Sequence, residues 1–137
     1  MENHTDASPS HPPITAEAHA VLDYAVAATF IVKGMSLLSS HRRAAGLALL
    51  NGGMVLGMSL MTDYPGGVWR RLSFKTHRTG DMLQAALAGF GPVLLGFHRD
   101  PQAAFFYTQA ASEAGVIAAT DWDGPIAGSA LTAAATS

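Results

Sequence analysis

From Ala44 to Thr62 the chain reads AAGLALLNGGMVLGMSLMT, without one charged side chain. No other feature limits the fold as strongly. The stretch has the length of a helix, and a helix on the surface of a water-soluble domain carries a charged face. A bilayer core of about 30 Å takes roughly 20 helical residues, which is the length available here. Three further segments are of comparable length: Thr15 to Leu38, Ser73 to Phe97 with the uncharged core MLQAALAGFGPVLLGF, and Pro101 to Thr120 with one acid, Glu113. Charged residues are 13% of the chain, against about 25% in ordinary soluble domains. A soluble four-helix bundle is the competing reading, and the charge-free segments weigh against it. The expected fold is all-α: an integral membrane four-helix bundle of two helical hairpins, with flexible tails.

The segment ends carry matching chemistry. Thr15 and Ser73 are good N-caps, and Pro101 suits the first turn of a helix. YPGG at 64–67 and WDGP at 122–125 are chain breakers. Tyr64, Trp69 and Trp122 then fall where an interfacial aromatic belt is expected. Lys33 lies near enough to its segment's end to snorkel to the headgroups, and Pro92 predicts a kink.

A shift of 58 residues carries His19 onto His77, Asp23 onto Asp81, Thr62 onto Thr120, Asp63 onto Asp121 and Gly66 onto Gly124. Thr15 meets Ser73, Asn51 meets Gln109, and Tyr64 meets Trp122. These are uncommon residue types at equivalent segment ends, so the two hairpins read as copies. The division is a polar tail over 1–14, a first repeat over 15–66, a loop over 67–72, a second repeat over 73–124 and a tail over 125–137. Each copy crosses the membrane twice, so the copies share an orientation and a pseudo-twofold axis along the membrane normal. His19, Asp23, Asp63, His77, Asp81 and Asp121 are therefore expected at one end of the bundle. The spacing of four puts each His and its Asp on one helix face.

His-x-x-x-Asp, then Thr-Asp-aromatic, then a second His-x-x-x-Asp and Gly91-Pro92-Val93-Leu94-Leu95-Gly96-Phe97 resembles the SPW-repeat family of small bacterial and archaeal membrane proteins. The likeness covers roughly residues 19–97. It keeps the proline and the Gly-Phe ending but lacks the Ser and Trp, and KGMSLLS at 33–39 departs from the pattern. The resemblance implies a membrane repeat architecture, in a bacterial inner membrane, and no activity.

Several roles fit the polar residues. The His–Asp pairs can tie helix ends together, since an unpaired buried polar group is costly. They can also bind: His19 and His77 facing each other suit a haem iron, and with Asp23 and Asp81 a divalent metal, while either histidine alone suits a chlorophyll-type magnesium. Glu113 inside an apolar segment must be protonated, paired or turned to a polar interior, with Asn51, Gln84, Gln109 and Ser112 as candidate partners. It serves either as interhelical glue, the favoured role, or as part of a proton or solute route. Gly53-x-x-x-Gly57 permits close helix approach, expected within the bundle.

The exclusions are clearer. A net charge of −2 gives no electrostatic footprint for nucleic acid. Without cysteine there is no disulfide, thiolate site or cysteine nucleophile. No metalloprotease, nucleophile-elbow or phosphate-loop pattern is present, so no enzyme is expected. Basic residues divide evenly between Arg70, Arg71, Lys75 and Arg78 on one face and Lys33, Arg42, Arg43 and Arg99 on the other, which leaves orientation undecided. The expected function is a non-catalytic accessory subunit packed against other membrane protein subunits. A cofactor-binding protein using His19 and His77 and a small transporter around Glu113 are the alternatives.

Overall fold

A computed structural model describes residues 12–135. Among them are five helices and no strand: α1 (Ala16–Leu37), α2 (Arg42–Met61), α3 (Phe74–Leu94), α4 (Ala103–Ala119) and the short α5 (Ala130–Ala135). The polar N-terminal stretch expected as a tail lies outside the described residues up to residue 11.

The predicted caps are in place. Thr15 Oγ1 accepts from the Ala18 amide and Ser73 Oγ from the Thr76 amide. Helix ends fall within a few residues of expectation, with two differences. Pro101 sits in the turn before α4, whose N-cap is Gln102. Pro92 lies only two residues before the end of α3, and the chain leaves the helix at Gly96, whose φ of +69° is costly for other residues. The proline marks a stop more than a mid-helix kink.

Burial follows one seam per helix. In α1 the buried positions are Ala16, His19, Ala20, Asp23, Ala27, Phe30, Gly34 and Leu37. In α3 they are Phe74, His77, Asp81, Gln84, Ala88, Gly91 and Pro92. Steps of three and four dominate, as in coiled-coil packing, with His19 and Pro92 widening the seam by one position each. Small residues let α1, α2 and α3 approach: a Cβ on Gly52 would meet Ile31 at 2.8 Å, one on Gly34 would meet Leu49 at 2.7 Å, and one on Gly91 would meet Leu47 at 2.5 Å. Gly53 and Gly57, expected to serve this purpose, instead face open space, because they lie off the seam.

α1 packs on α2, α3 on α4, and α2 on α3. Phe30, Leu47, Ala88, Phe97 and Phe106 form one apolar cluster with neighbours from all four helices. At that end His41 Nε2 pairs with Asp100 Oδ2 at 2.8 Å, tying the α1–α2 corner to the α3–α4 corner. At the other end the chain segments entering α1 and α3 pair with the segments leaving α4 and α2. Leu72 N donates to Met61 O at 2.9 Å and Asp63 N donates to Leu72 O at 2.8 Å. At the positions related by the shift, Ile14 N donates to Ala119 O at 3.0 Å and Asp121 N to Ile14 O at 2.8 Å. The 58-residue correspondence is thus repeated in hydrogen bonds.

Both expected tails need correction where they are described. Ile14 is held against Thr120. Beyond Pro125 the chain forms α5, whose first turn is capped by the Asp63 carboxylate: Ser129 Oγ donates at 2.6 Å, Ala130 N at 3.0 Å and Leu131 N at 2.9 Å. Of the four long helices, α1 and α2 are long and apolar enough to cross a membrane. α3 opens with the polar FKTHRTGD, and α4 has 17 residues.

Candidate functional site

His19 and Asp23 are one turn apart in α1, and His77 and Asp81 one turn apart in α3. The structure brings all four together in the seam. His77 Nε2 lies 3.0 Å from Asp81 Oδ1 and 3.0 Å from Asp23 Oδ2. His19 Nε2 lies 3.0 Å from Asp81 Oδ2 and 3.3 Å from Asp23 Oδ1. Each carboxylate therefore offers one oxygen to each imidazole, in a closed ring of four side chains. All are buried: His77 is 0% exposed, His19 1%, Asp23 7% and Asp81 8%.

The outer nitrogens of both rings are held identically. His77 Nδ1 is 2.6 Å from Thr62 Oγ1, and His19 Nδ1 is 2.9 Å from Thr120 Oγ1. Each hydroxyl has one hydrogen, and each donates it one turn back along its helix: Thr62 to Met58 O at 2.7 Å, Thr120 to Val116 O at 2.6 Å. The hydroxyl oxygens must then accept, so the Nδ1 atoms carry the ring protons. Both Nε2 atoms consequently face the carboxylates, as donors when the ring is charged and as lone pairs when it is neutral; His19 Nε2 is in hydrogen-bonding position to Asp81 Oδ2 at 3.0 Å.

Aromatic residues close the site. Tyr64 O–H donates to Asp23 Oδ2 at 2.8 Å, and Ser59 lies at the edge of reach of the same oxygen at 3.5 Å. Trp122 packs 4.8 Å from the His19 ring and 4.6 Å from Phe74. Two members of the expected interfacial belt thus belong elsewhere: Tyr64 is 0% exposed and Trp122 8%, and only Trp69 faces outward. Burial and the neighbouring Asp23 charge raise the Tyr64 hydroxyl's pKa, which keeps it a donor. Tyr64 was not among the expected site residues. Its alignment with Trp122 at the same helix end was the available signal.

Deeper in the seam, Gln84 Nε2 donates to Asn51 Oδ1 at 2.8 Å and to Glu113 Oε1 at 3.3 Å, while Asn51 Nδ2 donates to Leu47 O. The expected partners Asn51 and Gln84 are in place. Gln109 stands outside this network, half-buried, and Ser112 only lines the adjoining cavity. Glu113 Oε2 is buried without a hydrogen-bond partner among the described residues. A cavity of ≈ 70 Å³ runs from His19, Asp23 and Asp81 to Gln84 and Glu113, room for a few water molecules at about 10–15 Å³ each.

Bis-histidine haem ligation does not fit. The two rings are 5.5 Å apart, edge to face, and two carboxylates fill the space before their Nε2 atoms. A porphyrin or pigment could enter only by displacing both. What the site offers chemically is two imidazoles and two carboxylates aimed at one small volume. Comparisons with protein-family models, curated proteins and solved structures find no match.

Proposed function

We propose that the chain is a small non-catalytic integral membrane protein, made of two copies of a helical hairpin and serving as an accessory subunit beside other membrane proteins. One observation carries the reading: polarity is distributed inside out. The seam holds His19, Asp23, Asn51, Ser59, His77, Asp81, Gln84 and Glu113, while Val21, Val32, Leu50, Leu83, Phe90 and Leu94 are each more than half exposed. Water drives the opposite arrangement. Lipid tolerates an apolar exterior and places ionisable groups in the bundle interior. Between the charged ends the exposed helix surface carries no formal charge apart from Lys33, which rests over the Phe105 ring at 5.4 Å. α1 and α2 are the two strong spans, and α3 and α4 accompany them.

The partner-docking part rests on Gly46, Gly53 and Gly57 of α2, where an added Cβ would meet nothing within 4 Å among the described residues, a smooth strip for another helix. The tagged protein should stay in the membrane pellet through an alkaline carbonate wash and co-purify with a reproducible set of membrane proteins after mild solubilisation. Release by carbonate would remove the membrane reading, and recovery as a lone monomer would remove the accessory role. A second reading, a ligand-binding membrane protein, is favoured by the convergence of His19 and His77.

A further inference from the structure

We infer that His19, Asp23, His77 and Asp81 form a site for one first-row divalent transition-metal ion, ligated by both Nε2 atoms and one oxygen of each carboxylate. The inference rests on the site's own atoms and stands whether or not the chain spans a bilayer.

Protonation and metal binding make different demands on this ring. If protons alone balanced the carboxylates, both imidazoles would be charged and each Nε2–H would need an acceptor near its axis. His77 Nε2 is buried with no hydrogen-bond partner among the described residues, although two carboxylate oxygens lie 3.0 Å away. His19 Nε2, by contrast, stands in hydrogen-bonding position to Asp81 Oδ2 at 3.0 Å, so protons satisfy one ring of the pair and leave the other, His77, open to a shared ion. Ligand atoms about 2.0–2.2 Å from such a metal lie ~3.0 Å apart at right angles and ~3.4 Å apart at the tetrahedral angle. The N···O separations here are 3.0, 3.0, 3.0 and 3.3 Å, each to a different carboxylate oxygen; one ligand atom from each residue falls within 4.8 Å of all the others, so an ion with ligands at about 2.0–2.2 Å would draw the four side chains slightly inward.

The surroundings suit the same occupant. Metal-binding imidazoles typically donate their other N–H to a fixed acceptor, which sets tautomer and ring orientation. Thr62 and Thr120 do this for both rings. Two carboxylates neutralise a divalent ion, so the loaded centre is uncharged, as a buried site requires. Imidazole with carboxylate suits zinc, iron or manganese better than magnesium or calcium.

The test uses the full-length protein, carrying no polyhistidine tag and stripped with chelator. Titrated with Co²⁺, it should bind one equivalent with visible d–d bands, displaced by Zn²⁺. X-ray absorption of the Zn²⁺ form should count two imidazoles. His77→Ala should abolish this binding, Thr62→Val should weaken it ~10–100-fold, and His4→Ala/His11→Ala should leave it unchanged. If His77→Ala does not fold, the wild-type titration and imidazole count still decide. Absence of saturable binding, fewer than two imidazoles, or undiminished binding in folded His77→Ala overturns the inference.

Discussion

Thr62→Val changes one hydroxyl to a methyl at nearly constant shape. It removes the acceptor of the His77 Nδ1–H, a 2.6 Å bond in a residue 0% exposed, where no water can replace it. A buried donor left without an acceptor costs about 1–3 kcal/mol. The lost hydroxyl–carbonyl bond to Met58 adds little, because that carbonyl already serves the helix. Thr120→Val removes the equivalent bond to His19 and should cost a similar amount. Unfolding by SDS in mixed micelles, followed through Trp122 beside His19, measures both variants. The decisive arm is a double-mutant cycle: in a His77→Ala background, Thr62→Val should cost close to nothing, giving a coupling of about 1–3 kcal/mol. A Thr62→Val penalty that persists undiminished without His77 would refute the tautomer assignment, as would a single variant within ~0.5 kcal/mol of wild type.

Other outcomes follow from separate contacts. Gly91→Ala puts a methyl 2.5 Å from Leu47 and should destabilise by about 1–3 kcal/mol. Gly53→Ala, facing open space, should be neutral or stabilise the helix by up to ~1 kcal/mol; the same unfolding assay reads both. Tyr64→Phe removes a donor to Asp23 and should cost about 0.5–1.5 kcal/mol, again by SDS unfolding. Burial raises the Asp63 pKa, but hydrogen bonds from Ser129, Leu131 and Ala130 and the Arg70 charge outweigh it and hold the carboxyl below its ordinary value. A depressed carboxylate stabilises above the unfolded pKa and loses that contribution as pH falls through its folded pKa. The Ala130 and Leu131 amides should therefore be protected at neutral pH and lose protection, measured against the intrinsic exchange rate at the same pH, as pH falls below about 4, read by hydrogen exchange. Equal protection at both pH values would sink the Asp63 cap.

Helices and their caps were legible in the sequence because they depend on local chemistry: Thr15, Ser73 and the uncharged run after Ala44 act through neighbours in the chain. The convergence of His19 with His77 followed from the repeat, since equal spacing in equivalent helices puts both pairs at one end. What the spacing did not reveal was crosswise pairing, each imidazole touching the carboxylate of the other half. That depends on the rotation of α1 against α3, which packing decides. Tyr64 and Trp122 were misplaced for a related reason. An aromatic residue just past a helix end suits a lipid interface or a lid over a polar centre equally well, and only the path of the following loop distinguishes them. Gly53 and Gly57 have the spacing of a packing motif, but the seam runs through Gly52, one residue earlier, which turns them outward.

The inside-out distribution of polarity is tested most directly by spin labels, and the absence of native cysteine makes single-site labelling clean. Labels at Val32, Leu50 and Phe90, with Asp123 as the exposed loop control, would be placed in the protein reconstituted in lipid. The membrane account predicts that the three helix labels collide with dissolved oxygen far more than with a water-soluble nickel complex, and that the Asp123 label does the reverse. Nickel accessibility at Val32, Leu50 and Phe90 equal to that at Asp123 would contradict it.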